Sequence, residues 1–194
     1  MPRARSSVSR AYVAFLRAIN VAGHASVRME DLRRAFAAAG GRGVRTYIQS
    51  GNVMFEGPAN GAPALFQRIR LQLRKLLGDD PEVVFRTVRE VERIVKGAPF
   101  KRFARERDAK LYVTFLSRKP LGKPRFPLRS AQEVLEAFAM KNLEVFIVSR
   151  RKKSGFYGFP NSFIEHELGV SATSRNWSTV TKIVAFARQE AAGR

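Results

Sequence analysis

The sequence predicts an α+β protein built of two tandem ferredoxin-like domains, alpha-beta plaits with antiparallel sheets, and three observations carry that prediction. Tyr12-Val13-Ala14-Phe15-Leu16 returns one hundred residues later as Tyr112-Val113-Thr114-Phe115-Leu116, the mark of an internal duplication. Ala35-Phe36-Ala37, inside a helical pattern, recurs as Ala137-Phe138-Ala139, and Val44 to Gln49 is echoed by Leu143 to Val148. The apolar period of the first half switches between two and 3.6 in the order strand, helix, strand, strand, helix, strand, which is the order of a plait.

Alternation from Tyr12 to Arg17 predicts the first strand. Leu32, Phe36 and Ala39 stand at helical spacing and are followed by Gly40-Gly41, residues that stop a helix. Val44 to Gln49 and Val53 to Phe55 flank Ser50-Gly51-Asn52, a hairpin turn by composition. Leu65, Ile69, Leu73 and Leu76 make an apolar stripe on a long helix, and Val83-Val84-Phe85 supplies the fourth strand. A helical pattern from Val88 to Val95 and a basic stretch from Lys101 to Lys110 then lead to the second half.

The second half is less regular. Its second helix is expected over Ser162 to Leu168, a short strand near Val170 to Ala172, and a closing helix over Asn176 to Ala187. Trp177, Val180, Ile183, Val184 and Ala187 share one face of that helix, so Trp177 reads as a packing anchor. Pro120, Pro124 and Pro127 argue against regular structure after the repeated strand. The expected organisation is a flexible basic tail (1–10), a first domain (11–87), a helical and basic connector (88–109) and a second domain with a C-terminal helix (110–194).

Of 194 residues, 45% are apolar and 27% charged, as in folded globular chains. The absence of cysteine excludes disulfides, thiolate metal ligation and a thiol nucleophile, and points to a reducing compartment such as the cytoplasm. Arg3, Arg5 and Arg10 precede an apolar stretch that lasts only from Ala11 to Leu16, too short for a signal peptide. No apolar run is long enough to cross a bilayer.

Charge is the dominant compositional feature: 36 basic against 16 acidic residues, a net of +20. Such an excess invites a polyanion, nucleic acid above all. Arginine outnumbers lysine 26 to 10 and alanine is abundant, a pair of biases that a GC-rich coding sequence also produces. Residues 101–130 nevertheless hold ten basic and two acidic side chains, a net of +8, and a second run follows at Arg150, Arg151, Lys152 and Lys153.

Most enzymatic constellations fail for want of parts. His24 and His166 are the two histidines and neither has metal-ligand spacing, so no metal or cofactor is expected. No G-x-S-x-G elbow is present. Gly40-Gly41-Arg42-Gly43 lacks the strand and helix context of a phosphate loop, and Thr179 to Lys182 reads as a solvated helix face. Three polar groups remain as a candidate ligand site: Arg17 and Asn20 after the first strand, Ser50 and Asn52 at the hairpin, and Ser174, Arg175 and Asn176 entering the last helix. There Ser174 or Asn176 would cap the helix, or its free N–H groups and Arg175 would attract an anion. A plait also offers the open sheet that RNA-recognition modules use, but Tyr47 and Phe15 alone make a thin stacking surface and the third strand lacks the basic-Gly-aromatic pattern.

Four stretches resemble a widespread bacterial domain-of-unknown-function family: Arg17-Ala18-Ile19-Asn20-Val21-Ala22-Gly23-His24, Met29-Glu30-Asp31-Leu32, Val44-Arg45-Thr46-Tyr47-Ile48-Gln49-Ser50-Gly51-Asn52-Val53, and Thr173-Ser174-Arg175-Asn176-Trp177-Ser178-Thr179-Val180. Members carry FLRGINVGG, RTYIQSGNV and TTRNWNTV. The resemblance implies two alpha-beta plaits and no particular reaction. Ala18 and Ala22 stand where the family has glycine, Ser178 replaces its second asparagine, and a Gly- and Lys-containing piece ending in SKL is missing after Asn161.

Two functions are expected from different classes. The first is a non-enzymatic protein that binds a polyanion, nucleic acid foremost, through Lys101, Arg102, Arg105, Arg107, Arg150, Arg151, Lys152 and Lys153. The second is a small anionic-ligand site, or an enzyme, using Arg17, Asn20, Ser50, Asn52, Ser174, Arg175 and Asn176. A third alternative is an interaction module that forms homo-oligomers through open sheet faces.

Overall fold

The computed structural model describes residues 8–17, 19, 27–78 and 80–191. It is a mixed α+β protein with two antiparallel sheets and five α-helices. The chain divides into two compact units, residues 1–90 and 91–194.

Unit 1 runs β1 (Ser9–Leu16), α1 (Met29–Ala38), β2 (Arg42–Tyr47), β3 (Asn52–Pro58), α2 (Ala62–Leu77) and β4 (Val83–Thr87). Its sheet has the order β2-β3-β1-β4. β1 is central because Val13 to Leu16 are almost wholly excluded from water on both faces. Tyr12, Ala14 and Leu16 point toward the helices and pack with Phe55 of β3, Leu32 and Phe36 of α1, and Leu65, Ile69 and Leu73 of α2. Alternate residues Val13, Phe15 and Met54 lie on the other face, also buried. Phe15 is therefore no stacking platform. Helix α1 ends as its sequence predicts, with Gly40 N–H donating to the Ala37 carbonyl and Gly41 N–H to that of Phe36.

A helix of nine residues follows β4 directly. Helix α3 (Val88–Lys96) starts on a reciprocal capping box: Thr87 N–H donates to the Glu90 carboxylate at 2.7 Å, and Glu90 N–H to the Thr87 hydroxyl at 3.1 Å.

Unit 2 continues with a 3-10 turn at Lys101–Phe103, β5 (Ala109–Leu116), β6 (Leu128–Ser130), β7 (Leu135–Lys141), β8 (Glu144–Arg150), α4 (Asn161–Leu168), β9 (Ala172–Asn176) and α5 (Trp177–Ala191). Its sheet has the order β6-β7-β8-β5-β9. The repeated strand is central again, with Tyr112↔Ile147 on one side and Tyr112↔Asn176 on the other. Ile164 and Leu168 of α4 pack with Tyr112, Leu116, Val145 and Ile147. Trp177 meets Phe100 at 5.1 Å, and Phe100 meets Phe146, which lies on the sheet face opposite Val145 and Ile147. The tryptophan is a packing residue.

Three expectations for the second half are corrected. Ala137-Phe138-Ala139 is not helical: it lies in β7, where Leu135 and Ala137 face the core and the strand pairs with β8. Alanine, glutamate and methionine favour a helix locally, but the hairpin to β8 overrides that preference. The segment after Pro127 forms the edge strand β6 where a structureless loop is expected. Residues 143–148 correspond to β3 by pairing, not to β2, since Leu116 N–H bonds to the Leu143 carbonyl as Leu16 N–H does to that of Gly51.

Leu65 is fully buried and its Cδ2 would lie 2.4 Å from a Cβ placed on Gly57 of β3, so the helix sits directly on the strand. Leu65→Ala is expected to cost about 2–5 kcal/mol of stability by urea denaturation. A change near zero would contradict this packing.

Candidate functional site

In unit 1 the sheet brings Arg17, Ser50 and Asn52 to one end. Arg17 leaves β1 with its N–H bonded to the Glu82 carbonyl at 2.9 Å and its guanidinium paired with the Glu82 carboxylate. Asn52 pairs with Phe15 in register and is completely buried. Its Nδ2 donates to the Ser50 hydroxyl at 2.8 Å and to the Tyr47 carbonyl at 3.3 Å. These bonds hold a turn in which Ile48 takes a φ of 50°, a strained value for a β-branched residue. Gly51 has a φ of 71°, and a Cβ there would lie 3.0 Å from that of Leu16. The hairpin motif thus locks a tight turn against the end of β1. Asn20 lies outside the described residues.

In unit 2 the segment Thr173-Ser174-Arg175-Asn176 is strand, where a loop entering the last helix is expected. Its backbone pairs with β5 on one side, and α5 begins directly after Asn176. Asn176 is exposed, while Thr173, Ser174 and Arg175 are buried. The Ser174 and Thr114 hydroxyls share a hydrogen bond of 2.6 Å across the strands. Arg175 Nη1 donates to the Thr173 hydroxyl at 2.8 Å and to the Ser174 carbonyl at 2.9 Å. Burial pushes its guanidinium down to about 10, which leaves it cationic at neutral pH.

Sequence reasoning missed the counterpart of Arg175. Arg86 in β4 opposes Val13 as Arg175 in β9 opposes Val113, and each guanidinium donates to the carbonyl of its own preceding residue. The repeated pentapeptide is the signal: equivalent register positions, not equal sequence offsets, carry the two arginines.

The basic runs, forty residues apart in sequence, meet along one end of the unit 2 sheet. Ala109 pairs with Arg150, and Arg150 makes a two-pronged bond to Glu106 at 3.1 and 3.2 Å. Glu136 of β7 gathers Arg102, Arg129 and Arg150 within 3.9 Å. Arg102 also lies over the rings of Phe103 and Phe138, at 4.5 and 4.3 Å. Lys152 pairs with Glu133 at 2.8 Å. Glu106, Glu133 and Glu136 are thereby paired with Arg102, Arg129, Arg150 and Lys152. Among the described residues, Lys101, Arg105, Arg107, Arg151 and Lys153 make no ion pair, and all five are exposed.

Aromatic side chains stand beside these cations. Arg151 forms a bridge with Tyr157, and Lys110 Nζ sits 4.5 Å from the Tyr157 ring centre. Phe159 meets Tyr112 edge-on at 5.7 Å. Burial, then the neighbouring Tyr157, raises the Tyr112 phenol above its ordinary value. Between Tyr157 and Phe159, Gly158 is buried, with its carbonyl accepting from the Ser149 hydroxyl at 3.1 Å. A Cβ on Gly158 would lie 2.2 Å from the Glu133 carbonyl oxygen, so only glycine lets the segment approach this closely.

Other chemistry is sparse. Among the described residues no group of three or more His, Cys, Asp or Glu side chains is placed to hold a metal ion. No described helix is long and apolar enough to cross a membrane. A shallow depression of about 320 Å³ in unit 1 is lined by Asp31, Arg34, Ala35, Ala38, Gln72, Lys75 and Leu76. Its Asp31 is already paired with Arg34.

Residues 10–146 match the family described as "Protein of unknown function (DUF1697)". The fold is similar to that of the conserved bacterial protein SP0830 from Streptococcus pneumoniae, with a TM-score of 0.61, 21% identity and coverage of 92% of this chain and 98% of that one. No curated protein matches the sequence.

Gly158→Ala is expected to destabilise the protein by about 1–3 kcal/mol, because the added methyl must displace the backbone at Glu133. Thermal and urea unfolding of the variant measure it, and a wild-type midpoint would show that the segment is not held there.

Proposed function

The chain belongs to the DUF1697 family of proteins of unknown function, and from that premise we propose that it is a non-enzymatic protein that holds a polyanion on unit 2. The observation that carries this reading is the meeting of the two basic runs at one sheet end, with Glu106, Glu133 and Glu136 already held in internal pairs. The five cations that make no ion pair face solvent, where their fields add. A coding bias raises arginine content everywhere; it does not by itself align two distant runs.

The polar family motifs favour a structural role. Arg17, Asn52, Ser174 and Arg175 each hold bonds that fasten a turn or a strand, as described above. In the same reading unit 1 is a ferredoxin-like plait. Unit 2 is its diverged copy, with the proline-containing loop and β6 standing where unit 1 has α1.

The test is fluorescence anisotropy of a labelled duplex DNA across a salt series, comparing wild type with R105E/R107E/K153E. Engagement of five phosphates gives a slope of log K against log salt of roughly −4.5 on duplex DNA. The triple reversal is expected to lower affinity at least tenfold and flatten the slope. Unchanged binding by that variant, with its fold intact by circular dichroism, would overturn the proposal.

A further inference from the structure

Resting on the polyanion reading, we infer that the partner is single-stranded nucleic acid and that segment 151–159 of unit 2 stacks its bases. Phe156 is 75% exposed and Phe159 54%, in a segment that opens on Arg151, Lys152 and Lys153. A buried core would have taken up rings of this size, so their exposure leaves two flat apolar faces in water. Lys153 precedes Phe156 in the turn, and Lys110 and Arg151 flank the ring of Tyr157.

This interleaving separates the candidate partners. In duplex nucleic acid the base faces are covered by their neighbours, so exposed phenyl rings have nothing to stack on and only phosphates remain. A single strand offers both phosphates for the cations and open base faces for the rings. An anionic membrane also combines charge with an apolar phase, but membrane-surface binding typically uses a continuous apolar helix face. Here the apolar groups are single rings on a turn and the residues that follow it.

The segment is also held in place before any partner arrives. Lys152 N–H donates to the Phe156 carbonyl at 2.8 Å, closing the turn, and Gly155 takes a φ of 85°. Arg151 and Tyr157 bridge across it, Lys152 is anchored to Glu133, and Gly158 is seated against the Glu133 backbone. Such a platform loses little conformational freedom on binding.

The experiment compares three labelled 20-nucleotide probes at matched salt: oligo-dT, an abasic strand of the same length, and a duplex. Wild type is expected to bind oligo-dT at least tenfold more tightly than either other probe. F156A/F159A is expected to lose roughly ten- to a hundredfold on oligo-dT, with little change on the abasic strand. F156W/F159W should restore binding, which separates stacking from damage to the fold. Equal affinity for oligo-dT and the abasic strand, or full affinity in F156A/F159A, would overturn the stacking inference while leaving the polyanion reading intact. Failure to bind any of the three probes would overturn both. Binding to phosphatidylglycerol vesicles that F156A/F159A abolishes, without the oligo-dT preference, would assign the rings to a membrane surface instead.

Discussion

A β-strand buried on both faces leaves no place for an unsatisfied polar group, and β1 and β5 meet that constraint in the same way. Each is hydrogen-bonded on both edges, to β3 and β4 in unit 1 and to β8 and β9 in unit 2. Each presents Tyr and Leu of the repeated pentapeptide to the helices and Val and Phe to the opposite face. Of the hydroxyls on these stretches, that of Tyr12 donates to the Pro58 carbonyl and that of Thr114 finds its partner in Ser174. Removing either partner of that buried bond would leave a polar group stranded, which is why the polar family motifs read as fastening for the central strands.

Arg86 and Arg175 are buried beside the two strands, whereas the cations of the two basic runs sit on turns and at one sheet end. In unit 2 the β5 to β8 register then decides the outcome, because pairing Ala109 with Arg150 lays one basic run beside the other. Close approach of like charges would be costly without Glu106 and Glu136 between them. Those carboxylates neutralise the arginines nearest the sheet and leave the outer ones uncompensated. The arrangement is stable and still strongly positive at its rim.

The repeated Tyr-Val-x-Phe-Leu made both central strands legible, since a doubly buried strand needs a continuous apolar run. Leu32, Phe36, Leu65, Ile69 and Leu73 likewise declared their helices by spacing, and all five are buried. Residues 135–141 did not: Glu136, Ala137, Ala139 and Met140 are good helix formers, and only pairing with β8 makes them a strand. Thr173 to Asn176 misled for the opposite reason, because short polar side chains favour caps in isolation but here serve as β5's partner. The basic residues of the site were visible as two runs. Their meeting was not, because register between distant strands leaves no local trace, and Gly158 between two aromatics was the only hint of a tightly seated edge.

The central claim is that polyanion contact lies on unit 2 at the meeting of these runs. The most direct measurement is photo-crosslinking of a thiothymidine-substituted oligo-dT to the full chain, followed by mass spectrometry of the adducts. The account predicts adducts within residues 101–110 and 151–159. Adducts concentrated in residues 1–90 would contradict it.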